Sequence, residues 1–491
     1  MSLVSDGELD YTSAMNDKCV PTGLSTTEWS ATPPGVQTLL LGLLATVQQQ
    51  AEQIAELEEC LHKSSRNSSK PPSSDPPDGP ARPQRTPSVR KAGGQAGHAG
   101  HGRALRPVAE VNRTVECKPT CCEECGALLL GADPAPVRHQ VSELPRIEPE
   151  VIEYRRHSLT CLVCGHANTA AWPVDMPSGS FGPRLQATVG YLTGRLGVSQ
   201  RDVAEVKDSL FHADVSLGSV PALEQAVNAA LAAPGAEAQA YIQQQPVVNA
   251  DETGWHEGTE RRWLWIAATP LVCVFLLLST RGAAGAKQLL DAAYAGIVGS
   301  DRWSGYNWLD RLRRQLCWAH LRRDFQALVD RGGASARLGE ALLAQVRHLF
   351  ELWHRVRDGT LGRPEFRVAA APIQSQMHAL LQEGTSLAHP KTCHLCQNLL
   401  KLEPSLWTFV TVEGVEPTNN SAERPLRRAV LWRRRSFGTQ SSSGSQFVER
   451  VLTAVTTLRL QHRDVLDYLT AACAAKIRGA AAPSLLPAPT T

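Results

Sequence analysis

The stretch PVVNADETGW, residues 246–255, decides how the rest of the chain is read. Its first residues are apolar and β-branched, two acids follow, and a glycine comes two residues after them. That pattern predicts a buried strand which carries carboxylates to its end. Downstream, RRWLWIAAT (261–269) and LVCVFLLLST (271–280) predict two more strands, separated by a turn at Pro270. A helix around Ala286 to Tyr294 then leads to a fourth strand, GIVGSDRWSGY (296–306). A fifth, QLCWAHL (315–321), precedes a helix, RRDFQALV (322–329). Three strands in series, followed by alternating helix and strand, predict a mixed sheet covered by helices in a multidomain α/β chain. Asp251 and Asp301 would then converge at one sheet edge.

Neighbouring Asp251 and Glu252 must point to opposite faces of a strand, so only one can meet Asp301. Asp251 shares its face with Asn249 and Val247, and Glu252 shares its face with Ala250 and Val248. Both sets suit a buried central strand, and parity alone does not choose between them. The shorter aspartate on a rigid strand would fix an ion more tightly. Glu252 is then expected to cap the turn at Gly254 or to pair with an arginine such as Arg302.

The chain returns to acid chemistry much later, after a largely helical segment at about 331–416 that reads as an insertion. PTNNSAERPLRR (417–428) sets one carboxylate, Glu423, among arginines at a helix start. Taken alone this is a capped surface helix, with Asn420 or Ser421 accepting from free N–H groups and Glu423 favouring the dipole. Residues 421–435 carry six arginines (Arg424, Arg427, Arg428, Arg433, Arg434 and Arg435) against Glu423 alone. A polyanionic partner such as DNA suits that run. Two strand-borne aspartates and one helix-borne glutamate are hard oxygen ligands of the kind that hold magnesium or manganese. Paired ions of that type clamp the attacking and leaving oxygens of a phosphoryl transfer.

Upstream, at 491 residues, the chain is too long for one core, and 42% hydrophobic with 20% charged residues describes a folded, soluble protein. MSLVSDGELD lacks the basic start and apolar run of a secretory signal, and LVCVFLLL (271–278) is too short to span a bilayer. A cytoplasmic, nucleoid-associated protein is expected, with its thirteen cysteines reduced or metal-bound. Residues 1–35 read as disordered. Residues 36–62 place Leu43, Val47, Ile54, Leu57 and Leu61 at heptad spacing, interrupted by Gln50, which predicts a coiled coil and self-association. A Ser/Pro/Lys/Arg linker, 63–110, follows. Cys122-Glu-Glu-Cys125-Gly126 and Cys161-Leu-Val-Cys164-Gly165 predict a structural zinc ribbon over 111–178, each glycine permitting the tight turn that aims backbone N–H groups at the sulfurs. Residues 179–240 read as helices, either a helix-turn-helix or a plain spacer. The catalytic domain is expected over 241–440, with helices over 441–478 and a disordered tail, 479–491. Cys393 and Cys396 have zinc-like spacing but fall in a helical stretch and read as core.

The pieces NSSKPPSSD, GGQAGH, the paired knuckles, NADETGW, GSDRWSGY, CWAHLRRDF and EPTNNSAERPLRRAVLWRRRSFGTQSSSGS occur in this order. Together they resemble the transposases of the insertion sequence 66 family, over most of residues 40–475. GGQAGHAG departs from the proline-containing form of the family, which bears on linker stiffness. The resemblance implies an RNase H-like core and cut-and-join chemistry on element ends with the help of accessory proteins. It also implies a triad of Asp251, Asp301 and Glu423 that holds Mg2+ or Mn2+, and it selects Asp251 over Glu252. Cys317 and His320 resemble a CxxH element of such cores, either near the scissile phosphate or simply packed. A zinc-ribbon DNA-binding protein with an inactive core, or a nuclease without strand transfer, are the alternatives.

Overall fold

A computed structural model describes residues 25–61, 63–68 and 103–488. The expected disorder of residues 1–24 and most of the basic linker (69–102) lie outside the described residues. The chain divides into two compact units, Pro80–Cys317 with Pro404–Thr491, and Met1–Gly79 with Trp318–Glu403.

In chain order the helices and strands are α1 (Thr26–Ala31), α2 (Pro34–Leu61), β1 (Ser158–Thr160), β2 (Ala167–Thr169), α3 (Pro183–Gly190), α4 (Gln200–Phe211), α5 (Ser219–Ala230) and α6 (Ala232–Gln243). The sheet region follows with β3 (Val247–Glu257), β4 (Glu260–Ala268), β5 (Cys273–Leu278), α7 (Ala283–Leu290), β6 (Ile297–Ser300) and β7 (Arg314–Leu316). Then come α8 (Trp318–Asp330), α9 (Gly333–Arg357), α10 (Arg363–Gly384), α11 (Pro390–Lys401), α12 (Thr408–Thr411), α13 (Asn420–Ser436), α14 (Ser442–Leu460) and α15 (Val465–Ile477).

The first unit is built on a mixed five-stranded sheet of order β5-β4-β3-β6-β7. β3 runs antiparallel to β4 and parallel to β6, and β6 runs parallel to β7. The two faces have separate cores. On one, Val248, Ala250, Trp265, Ala267 and Val298 pack with residues such as Leu289 and Phe447. On the other, Trp255, Leu264, Ile266 and Phe275 pack against Ala422, Leu426 and Ala429 of α13.

The free edge of β5 is covered by side chains instead of another strand. The N–H groups of Cys273, Phe275 and Leu277 donate to Thr457 Oγ1 (3.0 Å), Thr453 Oγ1 (3.0 Å) and Glu449 Oε1 (2.5 Å). Strand donors on one edge recur every two residues, and helix side chains on one face recur every four, so α14 satisfies three donors in succession.

Several expectations are corrected. β3 does not end at its acids but continues to Glu257, because β4 keeps pairing with it to the hairpin turn at Gly258. The helix expected at 286–294 is α7, which starts and ends earlier, with Asp291 at positive φ closing it. RWSGY leaves the strand and forms a short 3-10 turn, and CWAH leaves β7 to start α8. Residues 25–35 are not all unstructured, since Ser25 and Glu28 cap α1 reciprocally. The tail is fixed through residue 488: Leu485 is buried, and Tyr468 Oη, Gln461 Nε2 and Arg463 donate to carbonyls of residues 483–486.

The second unit is helical. Its later segment starts with α8, so the compact insertion begins at Trp318 instead of about residue 331 and ends at Glu403 instead of about 416. Cys396 is buried in α11 and Cys393 Sγ lies 3.0 Å from the Thr385 carbonyl. Among the described residues, no helix is long and apolar enough to cross a membrane.

Candidate active site

β6 pairs with β3 only as far as Asn249↔Gly299, and β7 pairs with β6 as far as Ser300↔Leu316. Extending those registers puts Asp251 opposite Asp301, and Asp301 opposite Cys317, at the mouth where three parallel strands stop being bonded to one another. Both carboxylates stand where the parallel pairing stops, on the side of such sheets where ligands usually bind.

Cross-strand pairing resolves the parity left open by the sequence. Asp251 stands opposite Ile266, which belongs to the core that contains Ala422, Leu426 and Ala429 of α13. Glu252 stands opposite Trp265, in the other core. Asp251 therefore faces the helix that carries Glu423, and Glu252 faces away from it.

Asp251 Oδ1 accepts from the Glu252 N–H at 2.8 Å. Its carboxyl is pushed well above the usual range, first by desolvation and then by the charges of Glu252, Asp301 and Glu423. Asp301 Oδ1 accepts from the Trp303 N–H at 2.9 Å. Cys317 Sγ lies 3.9 Å from Glu423 Oε1 and accepts from the Asn419 N–H at 3.2 Å. His320 is half-buried on the first turn of α8, in the helical unit.

Neither Asn420 nor Ser421 caps α13. The residue before the helix is Asn419, fully buried, and its side chain donates to the Ala250 carbonyl at 2.9 Å. Its carbonyl accepts from Ala422 and Glu423, each at 3.1 Å. Asn419 thus ties the Glu423 turn to β3, one residue from Asp251. Its Oδ1 is buried with no hydrogen-bond partner among the described residues.

Glu252 neither caps Gly254 nor pairs with Arg302. Arg281 Nε donates to it at 3.0 Å and Tyr306 Oη at 2.9 Å. Burial raises its pKa to about 7. The Arg281 guanidinium lies over the Trp303 ring, 4.0 Å from its centroid, and its carbonyl accepts from Trp303 Nε1 at 3.2 Å. Arg314, fully buried in β7, donates to Ser300 Oγ, to Asn307 Oδ1 and to the carbonyls of Asp301 and Trp303. Together these groups fix the loop that presents Asp301. Sequence reasoning missed them: Arg314 sits in a run of arginines that marks none of them out, and Arg281 is 29 residues from its partner.

The α13 arginines divide into two sets. Arg428 and Arg433 are half-buried and donate to the carbonyls of Arg195 and Gly254, with Arg433 also 3.2 Å from Thr253 Oγ1. Their guanidiniums are thus taken up by the protein's own backbone, one of them on β3. Arg424, Arg427, Arg434 and Arg435 are exposed, the last with a bond to the Gly197 carbonyl at 3.3 Å.

The knuckles are two copies of one turn. The Cys122 N–H donates to the Ala127 carbonyl and the Gly126 N–H to the Cys122 carbonyl, as Cys161 does with His166 and Gly165 with Cys161. Gly126 and Gly165 take φ 72° and 69°, open to glycine at little cost. In each pair the first thiol, Cys122 or Cys161, is lowered by backbone N–H bonds and by its partner, Cys125 or Cys164. Among the described residues the four thiols are not gathered into one cluster at ligand distance.

The donor set at the sheet edge fits a hard divalent cation. Several carboxylates crowd where one of them resists ionisation, and a buried amide oxygen beside them is unused. A family model described as the IS66 family of transposases matches residues 178–447, more than half of the chain. The protein belongs to that family. The match to this transposase family takes in β3, β6 and α13, and hence Asp251, Asp301 and Glu423. A family of unknown function matches residues 28–104. Two relatives come from Sinorhizobium fredii, both called uncharacterized proteins. One, y4hP, is 26% identical over 404 residues, covering 73% of this chain and 71% of its own length. The other, y4qI, is 27% identical over 239 residues, covering 43% of each.

Proposed function

We propose that this transposase has an RNase H-like core that cleaves DNA at the ends of an insertion sequence and joins them to a target, with Asp251, Asp301 and Glu423 as its catalytic carboxylates. The observation that carries this reading is the register: Asp251 and Asp301 stand opposite each other just past the last paired residues of β3 and β6, and the face of Asp251 is the face of the Glu423 helix. Magnesium or manganese ions held by the three carboxylates would supply Lewis-acid stabilisation of the attacking and leaving oxygens.

The chain's own residues do the positioning. Asn419 and Cys317 set the Glu423 turn against β3, and Arg314 with the Glu252–Arg281 pair sets Asp301. The exposed guanidiniums of Arg424, Arg427, Arg434 and Arg435 line the same helix and neutralise phosphates beside the carboxylates. In the first step a water oxygen bonds to phosphorus while the 3′ oxygen leaves and takes a proton. That 3′ hydroxyl then displaces an oxygen of a target phosphodiester, one P–O bond replacing another.

Zinc shared by Cys122, Cys125, Cys161 and Cys164 is the proposed fastening of the knuckle segment, supported by two matching turns with acidified thiols. Self-association through α2 is supported by its exposed apolar row, with Leu43, Val47, Ile54 and Leu57 all more than half exposed.

The test is cleavage of plasmid-borne element ends by wild type and Glu423→Gln in magnesium and in manganese. Binding retained with cleavage abolished is the expected result, because the amide keeps the shape and loses the charge. Wild-type cleavage by Glu423→Gln would remove this residue from the triad.

A further inference from the structure

The helical unit contains none of the three carboxylates but has its own concentration of charge. Arg322 and Arg323 of α8, Arg347 of α9 and Arg66 of the turn after α2 surround an open cavity of about 440 Å³, with Leu343 and Val346 in its lining. The turn is built to hold Arg66 there. The Ser64 N–H donates to Asn67 Oδ1 at 2.8 Å, and Ser68 Oγ donates to the Ser64 carbonyl at 2.6 Å. Asn67 Nδ2 in turn donates to Asp330 Oδ2 at 2.8 Å. Glu59 anchors the end of α2 through Arg331 (3.0 Å) and Lys391.

The acids that hold this arrangement are thereby occupied. Asp330 takes Asn67 on one oxygen and Gln326 on the other, and Glu59 takes its two cations. No acid lines the cavity, and Arg66, Arg322 and Arg347 make no ion pair among the described residues. The like charges of Arg66, Arg322 and Arg347, drawn from three segments, repel one another until an anion sits between them. Guanidinium forks match phosphate oxygens two at a time.

We propose that this cavity binds the sugar–phosphate backbone of DNA, a contact that rests on the DNA reading above and adds to it a site the triad does not use. The exposure of Arg66, Arg322 and Arg347 favours a passing strand over a small phosphate compound. A site for an isolated nucleotide encloses its ligand and buries its polar groups. The apolar pair Leu343 and Val346 offers a floor to the sugars.

The experiment measures affinity for a mixed-sequence DNA duplex across a salt series, using full-length protein that carries Glu423→Gln so that no cleavage intervenes. Adding Arg322→Ala with Arg347→Ala should flatten the slope of log affinity against log salt by about 1.8, two phosphate contacts at about 0.9 each. Arg322→Lys with Arg347→Lys should keep the parent slope, and circular dichroism of all three should coincide. A parent that binds DNA and an alanine variant with the parent's slope would overturn this inference alone. A parent that binds no DNA would overturn the functional reading as well. Inorganic tripolyphosphate that raises the melting temperature of the parent but not of the alanine variant, with the DNA slope unchanged, would make this a small-phosphate site and also overturn the proposal.

Discussion

The carboxylate cluster and the cysteine knuckles lie in the same compact unit and are held by opposite means. Around Asp251 and Asp301 the packing is dense, with buried Arg314 and Asn419 and an apolar core on each face of the sheet. Around Cys122 and Cys161 almost every residue from 103 to 175 is exposed, and the only ordered pairing is the three-residue hairpin of β1 and β2 with one bridge, Cys121↔Leu128. Packing preorganises the first site, so it needs no ion to exist. The second has local turns without a core, and the proposed zinc would supply what burial does not.

That contrast is open to attack from both sides, and the largest effect belongs to Arg314. Arg314→Ala leaves Ser300, Asn307 and two carbonyls without their donor in the interior, at a cost of about 3–5 kcal/mol. Urea denaturation should place most of that loss in the sheet unit. A change under about 1 kcal/mol would mean that the Asp301 loop is not held as described.

Removing zinc should have a middling and strictly local effect. With a chelator, amides of 158–169 should exchange faster while amides of β3 and β4 keep their protection. Purified protein without zinc, or a loss of protection in the sheet, would break the proposed division of labour.

The smallest effect is a pH dependence at the covered edge. Burial raises Glu449 from 4.5 to about 7, with the Leu277 N–H and then Arg450 opposing and Glu257 adding to the shift. A folded-state pKa above the unfolded one means the native protein holds the proton longer. This contribution to stability is therefore complete below about pH 4.5 and is lost as pH rises through 7, up to about 3 kcal/mol. The difference between wild type and Glu449→Gln, measured by denaturation from pH 4.5 to 8, should shrink the slope in the variant. Parallel pH profiles would place the carboxyl in solvent.

Much of this architecture was legible because it repeats locally. Alternating and continuous apolar runs gave strands β3 to β5, and the glycine after each CxxC gave both knuckle turns. What escaped was fixed by contacts distant in sequence. The choice between Asp251 and Glu252 depends on which core Ile266 joins, and that depends on α13, a helix that begins only at Asn420. Thr453 and Thr457 look like ordinary helix residues until β5 lies beside them. Arg428 and Arg433 read as part of a basic stripe, and only the fold turns them inward. The covered tail follows the same rule, since nothing in 479–488 announces that Leu485 has a pocket.

The central claim is that Asp251 belongs to the site and Glu252 to its support, and a pair of isosteric variants tests it most directly. Asp251→Asn and Glu252→Gln would be assayed for cleavage of element-end DNA in magnesium and in manganese. The expected result is no cleavage by Asp251→Asn in either metal and measurable cleavage by Glu252→Gln, whose amide can still accept from Arg281. Cleavage by Asp251→Asn together with a dead Glu252→Gln would contradict the account.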